Sequence, residues 1–123
     1  MACVLVIEDN AANMKLAVFL LEQKGHEVLK ATDAEEGMRL AHQRLPALVL
    51  MDLQLPGMDG LAATRLLKAD PATRAIKIVA LTALAMVGDR ERIEAAGCDA
   101  YVAKPLSYKQ LLEVVRDMVG GPA

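Results

Sequence analysis

Apolar residues along this chain follow two rhythms that alternate five times. Short unbroken runs occur at CVLVI (residues 3–7), ALVLMD (47–52) and IKIVALTA (76–83). Such runs suit strands buried on both faces. Between them, apolar positions recur every three or four residues, the spacing of one helix face. The first such stretch, residues 12–25, carries Leu16, Phe19 and Leu20 beside Met14, Ala17 and Leu21, and Gly25 stops it. HEVLKA (26–31) predicts a short strand. Thr32 or Asp33 caps the next helix, and Glu36 stands at capping-box spacing from Asp33. Met38, Ala41 and Leu45 follow one face of that helix until Pro46 ends it.

The second half repeats the scheme. The run 47–52 stops abruptly at Asp52, and the turn-rich LQLPGMDG (53–60) leads to a helix over 61–70, broken where Asp70 meets Pro71. A strand over 76–83 precedes a helix from about Met86 to Ala96, closed by Gly97. DAYVAKP (99–105) holds the last strand. Ser107 caps a final helix with Leu111, Val115 and Met118 on one stripe. Residues 1–119 thus form one domain, and GGPA (120–123) is a flexible tail or the start of a linker.

Strand and helix alternating with short connections imply an α/β fold with a parallel sheet between helix layers. Right-handed crossovers leave few topologies. The pattern predicts a flavodoxin-like (βα)5 three-layer sandwich with strand order 2-1-3-4-5. In such sheets ligands bind outside the carboxyl ends of the strands.

Composition narrows the function. The chain has 123 residues, which fits one domain. The formal net charge of −2 gives no chain-wide basic footprint for nucleic acid, so no direct DNA binding is expected. The aromatic residues, Phe19, Tyr101 and Tyr108, are too few for a base-stacking platform. Cys3 and Cys98 show neither metal spacing nor a disulfide framework. Neither a signal peptide nor a membrane span is evident, and a cytoplasmic location is expected.

Chemistry concentrates at the strand ends. The first strand runs into Glu8, Asp9 and Asn10, the third into Asp52, the fourth into Thr82, and the fifth into Lys104 and Pro105. Each has an ordinary reading when taken alone. Asp9 or Asn10 caps a helix, Asp52 ends a strand, Thr82 is a β-former, and Lys104 begins a turn. Together they place three carboxylates, a hydroxyl and an ammonium on one rim. Three carboxylates must protonate, pair with a cation, or bind a divalent metal. Hard oxygen ligands at an open rim suit Mg²⁺. Lys104 and Thr82 suit phosphoryl oxygens, and Asp52 is placed as a nucleophile.

The segments IEDN (7–10), LVLMDLQLPGMDG (48–60), ALTA (80–83) and YVAKPLS (101–107) resemble a receiver domain of a bacterial two-component response regulator. EDNAANMKL and TALAMVGDRERIEAAGC are most similar to the single-domain DivK-like subgroup. The resemblance implies that Asp52 accepts a phosphoryl group from a histidine kinase or histidine phosphotransferase. It implies that Asp9, Asp52 and the Gln54 carbonyl ligate Mg²⁺, with Glu8 acting through a metal-bound water. Glu8 departs from the Asp that many receivers carry there. Thr82 and Lys104 match the phosphate-contacting pair, Tyr101 the switch aromatic, and Pro105 a cis proline. Leu84 and Gln54 flank the site, and the apolar Leu84 implies slow dephosphorylation.

The resemblance also implies an output. Phosphorylation shifts a two-state equilibrium in the surface around the fourth and fifth strands, and that surface meets a downstream regulatory protein. Met86, Val87 and Tyr101 belong to this partner surface, although Met86 and Val87 equally read as packed or scattered apolar residues. Such a protein is a phosphoacceptor that acts on itself, not a turnover enzyme. The tail leaves open a receiver cut from a hybrid kinase or larger regulator. A metal-dependent phosphatase with an aspartate nucleophile would want a second Asp where Gln54 stands. A flavin binder would want a phosphate-cradling loop, and the loop here is acidic.

Overall fold

A computed structural model describes residues 2–83 and 88–119. The strands are β1 (Cys3–Ile7), β2 (Glu27–Ala31), β3 (Leu48–Asp52), β4 (Lys77–Thr82) and β5 (Ala100–Ala103). The helices are α1 (Ala11–Gln23), α2 (Ala34–Arg44), α3 (Gly60–Ala69), α4 (Asp89–Ala96) and α5 (Tyr108–Val119). All four strand pairings are parallel and the sheet order is β2-β1-β3-β4-β5, as the alternation predicts.

The unbroken apolar runs have a direct cause. Successive strand side chains point to opposite faces, and both faces are covered. Leu5, Ile7, Val49, Met51, Ile78 and Ala80 pack beneath α2, α3 and α4. Val4, Val6, Leu48, Leu50, Val79, Leu81 and Val102 pack beneath α1 and α5. No position on β3 faces solvent.

Local chemistry sets the helix ends. Asn10, rather than Asp9, caps α1, its side chain accepting from the Asn13 amide at 2.9 Å. Asp33, rather than Thr32, caps α2 by accepting from the Glu36 amide at 2.8 Å. Glu36 reaches back to the Thr32 amide at 3.3 Å, one residue beyond the usual capping box. Asp59 caps α3 through the Ala62 amide at 2.8 Å. The Ser107 hydroxyl accepts from the Gln110 amide at 3.4 Å at the start of α5.

Three expectations need correction. Leu45 lies past the end of α2 as a left-handed C-cap with φ of 44°, and it is exposed rather than part of the apolar face. Pro46 disfavours a helical residue before it. Phe19 and Leu16 are exposed, because α1 buries the stripe of Ala17, Leu20 and Leu21 instead. The described part of α4 begins at Asp89 behind Gly88, later than expected. Met86, Val87 and Leu84 lie outside the described residues. Among the described residues, no helix is long and apolar enough to cross a membrane.

Candidate functional site at the carboxyl rim of the sheet

The parallel sheet carries β1, β3, β4 and β5 to one rim. Glu8 follows β1 and is 1% exposed, and its amide donates to the Ala31 carbonyl at 3.0 Å. Asp9, one residue on, is exposed. Asp52 is the last residue of β3 and is likewise 1% exposed. Thr82 ends β4, fully buried. The Lys104 amide donates to the Thr82 carbonyl at 2.8 Å, which extends the β4–β5 pairing to the lysine itself. The Lys104–Pro105 bond is cis.

Lys104 reaches across the rim. Its Nζ lies 3.1 Å from Glu8 Oε1 and 3.2 Å from Asp52 Oδ1. The exposed Gln54 donates its amide to Asp52 Oδ1 at 2.9 Å. The Asn10 amide donates to Glu8 Oε2 at 3.1 Å. Carboxylate oxygens of Glu8, Asp9 and Asp52 all lie within 4.8 Å of one another.

These contacts divide the two buried acids. Burial raises the Glu8 carboxyl to about 7, and pairing with Asp52 adds to the rise. Burial opposes charge on Asp52 as well. Hydrogen bonds from Glu8, the Gln54 amide and Lys104 outweigh it and hold Asp52 below its ordinary value. Burial likewise works against the Lys104 ammonium, and its two carboxylate partners keep its pKa raised. Asp52 is therefore the anion of the pair, and the proton the two share sits on Glu8 below about pH 7.

The donors at this rim are oxygens. Glu8 Oε1 is buried and lacks an aligned hydrogen-bond donor despite the nearby ammonium. A buried carboxylate oxygen without a donor, two further carboxylates within reach and exposure at Asp9 fit a hard divalent cation. The sequence brought Glu8, Asp9, Asp52, Thr82 and Lys104 to this rim, and the structure brings them together. Tyr101 stands apart on β5, 40% exposed, beside a cleft of about 280 Å³ bordered by Arg90, Ile93, Glu94 and Cys98. Gly60 is a contributor that sequence reasoning took only for a turn residue. Its close approach to the Asp52 main chain is made across the β3–α3 loop and does not show in the residue types.

A five-stranded parallel sheet with an acid-lysine rim defines the class of receiver domains. Residues 4–116 match the family model described as response regulator receiver domain. The chain belongs to the response regulator receiver family. It is 43% identical over 117 residues to the polar-differentiation response regulator DivK of Brucella anthropi, covering 95% of each chain. Its fold also matches the receiver domain of the sensor histidine kinase PA1611 from Pseudomonas aeruginosa PAO1. That match has a TM-score of 0.89 and 34% identity over 98% of both chains. The Pseudomonas domain is described with a magnesium ion coordinated in its active site cleft. The chemotaxis response regulator CheY4 of Vibrio cholerae shares the fold with a TM-score of 0.90 at 22% identity, over 96% of this chain and 98% of that one. The chain is a DivK-like receiver of two-component signalling.

Proposed function

We propose that Asp52 is the phosphoacceptor, and that this receiver takes its phosphoryl group from a histidine kinase or histidine phosphotransferase. The observation that carries the reading is the buried Asp52 carboxylate, kept anionic by Lys104 at 3.2 Å and by the Gln54 amide at 2.9 Å. An Asp52 oxygen attacks the phosphorus, the phosphorus–nitrogen bond of the phosphohistidine breaks, and the imidazole leaves with the electron pair. Asp9, Asp52 and the Gln54 carbonyl are the residues that would hold Mg²⁺ directly, with Glu8 acting through water. When bound, the ion offsets charge crowded at the rim and on the phosphoryl oxygens.

The chain's own groups do the rest. Lys104 leaves its carboxylate partners and follows a phosphoryl oxygen, and the Thr82 hydroxyl donates to another. Phosphorylation thereby draws β4 and β5 toward the rim. Tyr101 turns with them, and the surface around Tyr101 changes its fit to a downstream protein. Inverting a 1:99 population takes about 5.5 kcal/mol of differential stabilisation, within reach of a few charge-assisted bonds. The apolar Leu84 side chain cannot itself orient a hydrolytic water, so the phosphate is lost slowly. The protein modifies itself and turns over no other substrate. We place it in the cytoplasm, where thiols such as Cys3 and Cys98 stay reduced.

The test is phosphotransfer. Wild type incubated with Mg²⁺ and acetyl phosphate, or with a phosphorylated histidine donor, gains one phosphoryl adduct by intact mass. Asp52→Asn and chelation each abolish the adduct. An adduct on another residue, or none with either donor, overturns the assignment.

A further inference from the structure

We propose that Gly60 is a positioning residue for this phosphorylation: its missing side chain lets the first turn of α3 seat directly on the main chain of Asp52 and Leu53. The inference rests on Asp52 being the phosphoacceptor. A Cβ placed on Gly60 would overlap the Asp52 carbonyl oxygen and lie 2.8 Å from Leu53 Cα. Both are backbone atoms, so no rotamer relieves the overlap. At Gly37 an added Cβ meets the Ile7 side chain, which has torsions to adjust. At Gly57, in the same loop, φ is 77° and nothing lies within 4 Å of an added Cβ. Gly57 is required by conformation, and Gly60 by contact.

The seat is fixed from both sides. On the helix side, the Gly60 carbonyl accepts from the Thr64 hydroxyl at 2.8 Å, and Thr64 is fully buried. The Asp59 cap secures the same turn. On the sheet side, the Leu53 amide donates to the Leu81 carbonyl at 3.0 Å. A side chain at Gly60 must therefore break one of these anchors or push the end of β3. Pushing β3 moves Asp52 and Gln54 together and changes their spacing to Glu8 and Asp9 across the rim. Misplacement by about 1 Å costs about 100-fold in well-oriented chemistry, and a multidentate oxygen site is comparably sensitive to spacing.

The experiment compares wild type, Gly60→Ala and Gly57→Ala. Calorimetric titration with Mg²⁺ alone reads ligand spacing, and intact mass gives the initial rate with acetyl phosphate. Both are run where circular dichroism shows each variant folded. Gly60→Ala weakens Mg²⁺ binding and slows phosphorylation by about tenfold or more. Gly57→Ala loses thermal stability but stays within about twofold of wild type in both readouts. Equal Mg²⁺ affinity in Gly60→Ala and wild type overturns the proposal. Should Gly60→Ala not fold, Thr64→Val decides. It keeps the volume, drops only the hydroxyl, and is expected to weaken Mg²⁺ in the same direction, whereas unchanged affinity overturns the role. A wild type that binds Mg²⁺ yet takes no phosphoryl group overturns the Asp52 assignment, while the Mg²⁺ comparison still reads Gly60.

Discussion

Glu8 and Asp52 are alike in burial, and their pKa values are shifted in opposite directions. The Glu8 pKa of about 7 lies above its ordinary 4.5, so the folded metal-free protein binds that proton more tightly than the unfolded chain does. The sign follows. Glu8 charging costs stability as pH rises from about 4.5 to about 7, and the loss then levels off. Glu8→Gln is expected to flatten this part of the profile, measured by urea unfolding without metal. Mg²⁺ affinity is expected to rise with pH through the same window, because the cation competes with the Glu8 proton. Lys104→Met removes the ammonium from two buried carboxyls. The metal-free variant is expected to unfold at lower urea concentration than wild type near neutrality, and to recover more stability than wild type on addition of Mg²⁺. The acids, the hydroxyl and the lysine were legible in the sequence because each ends an apolar run. The protonation split was not, since it depends on which of Glu8 and Asp9 turns inward. The two are adjacent beyond the end of β1, and only the fold buries Glu8 and leaves Asp9 exposed.

Elements were legible wherever hydrophobic spacing and caps agreed. α5 is the clearest case, with Leu111 and Val115 buried one turn apart. α1 misled because Phe19 and Leu16 enrich a face that faces solvent, and composition cannot say which of two apolar stripes meets the sheet. The link between α2 and α3 was hidden entirely. His42 Nδ1 lies 2.9 Å from the Met38 carbonyl, and its Nε2 lies 2.8 Å from Asp70 Oδ2, in the residue that ends α3. Both ring nitrogens thus face acceptors, an arrangement that only a doubly protonated imidazole satisfies. The Asp70 hydrogen bond raises the His42 pKa, and the His42 hydrogen bond lowers that of Asp70. The histidine contribution is fully present below 6.5, the ordinary value, and is lost as pH rises through the higher folded value. The aspartate contribution is present above 3.8 and fades as pH falls. NMR titration is expected to place His42 above a free histidine, and Asp70→Asn to bring it back down.

At the scale of the molecule, stability and chemistry draw on separate parts of the same strands. Leu50 is fully buried two residues before Asp52, on the face beneath α1 and α5. Leu50→Ala is expected to cost about 2–5 kcal/mol of unfolding free energy. Chemical denaturation checks this, and Mg²⁺ affinity should change little while the variant stays folded. The alternation of strands and helices made the topology legible because parallel strands need crossovers and crossovers have one hand. The close seating of α3 on β3 could not be read that way, since it is a contact of main chain with main chain.

The strand polarity has a practical consequence. Every strand delivers its carboxyl end to the chemical rim, so the opposite rim is built only of connections. The turn after α1, where Lys24 and Gly25 are exposed and Gly25 has φ of 85°, lies on that far side. It is an exposed insertion point: a short peptide tag placed between Lys24 and Gly25 gives up the bonds from the Gly25 and His26 amides to the end of α1, and otherwise lengthens a surface loop at small entropic cost. A reporter carried there would ride on the domain without standing between Asp52 and its phosphodonor.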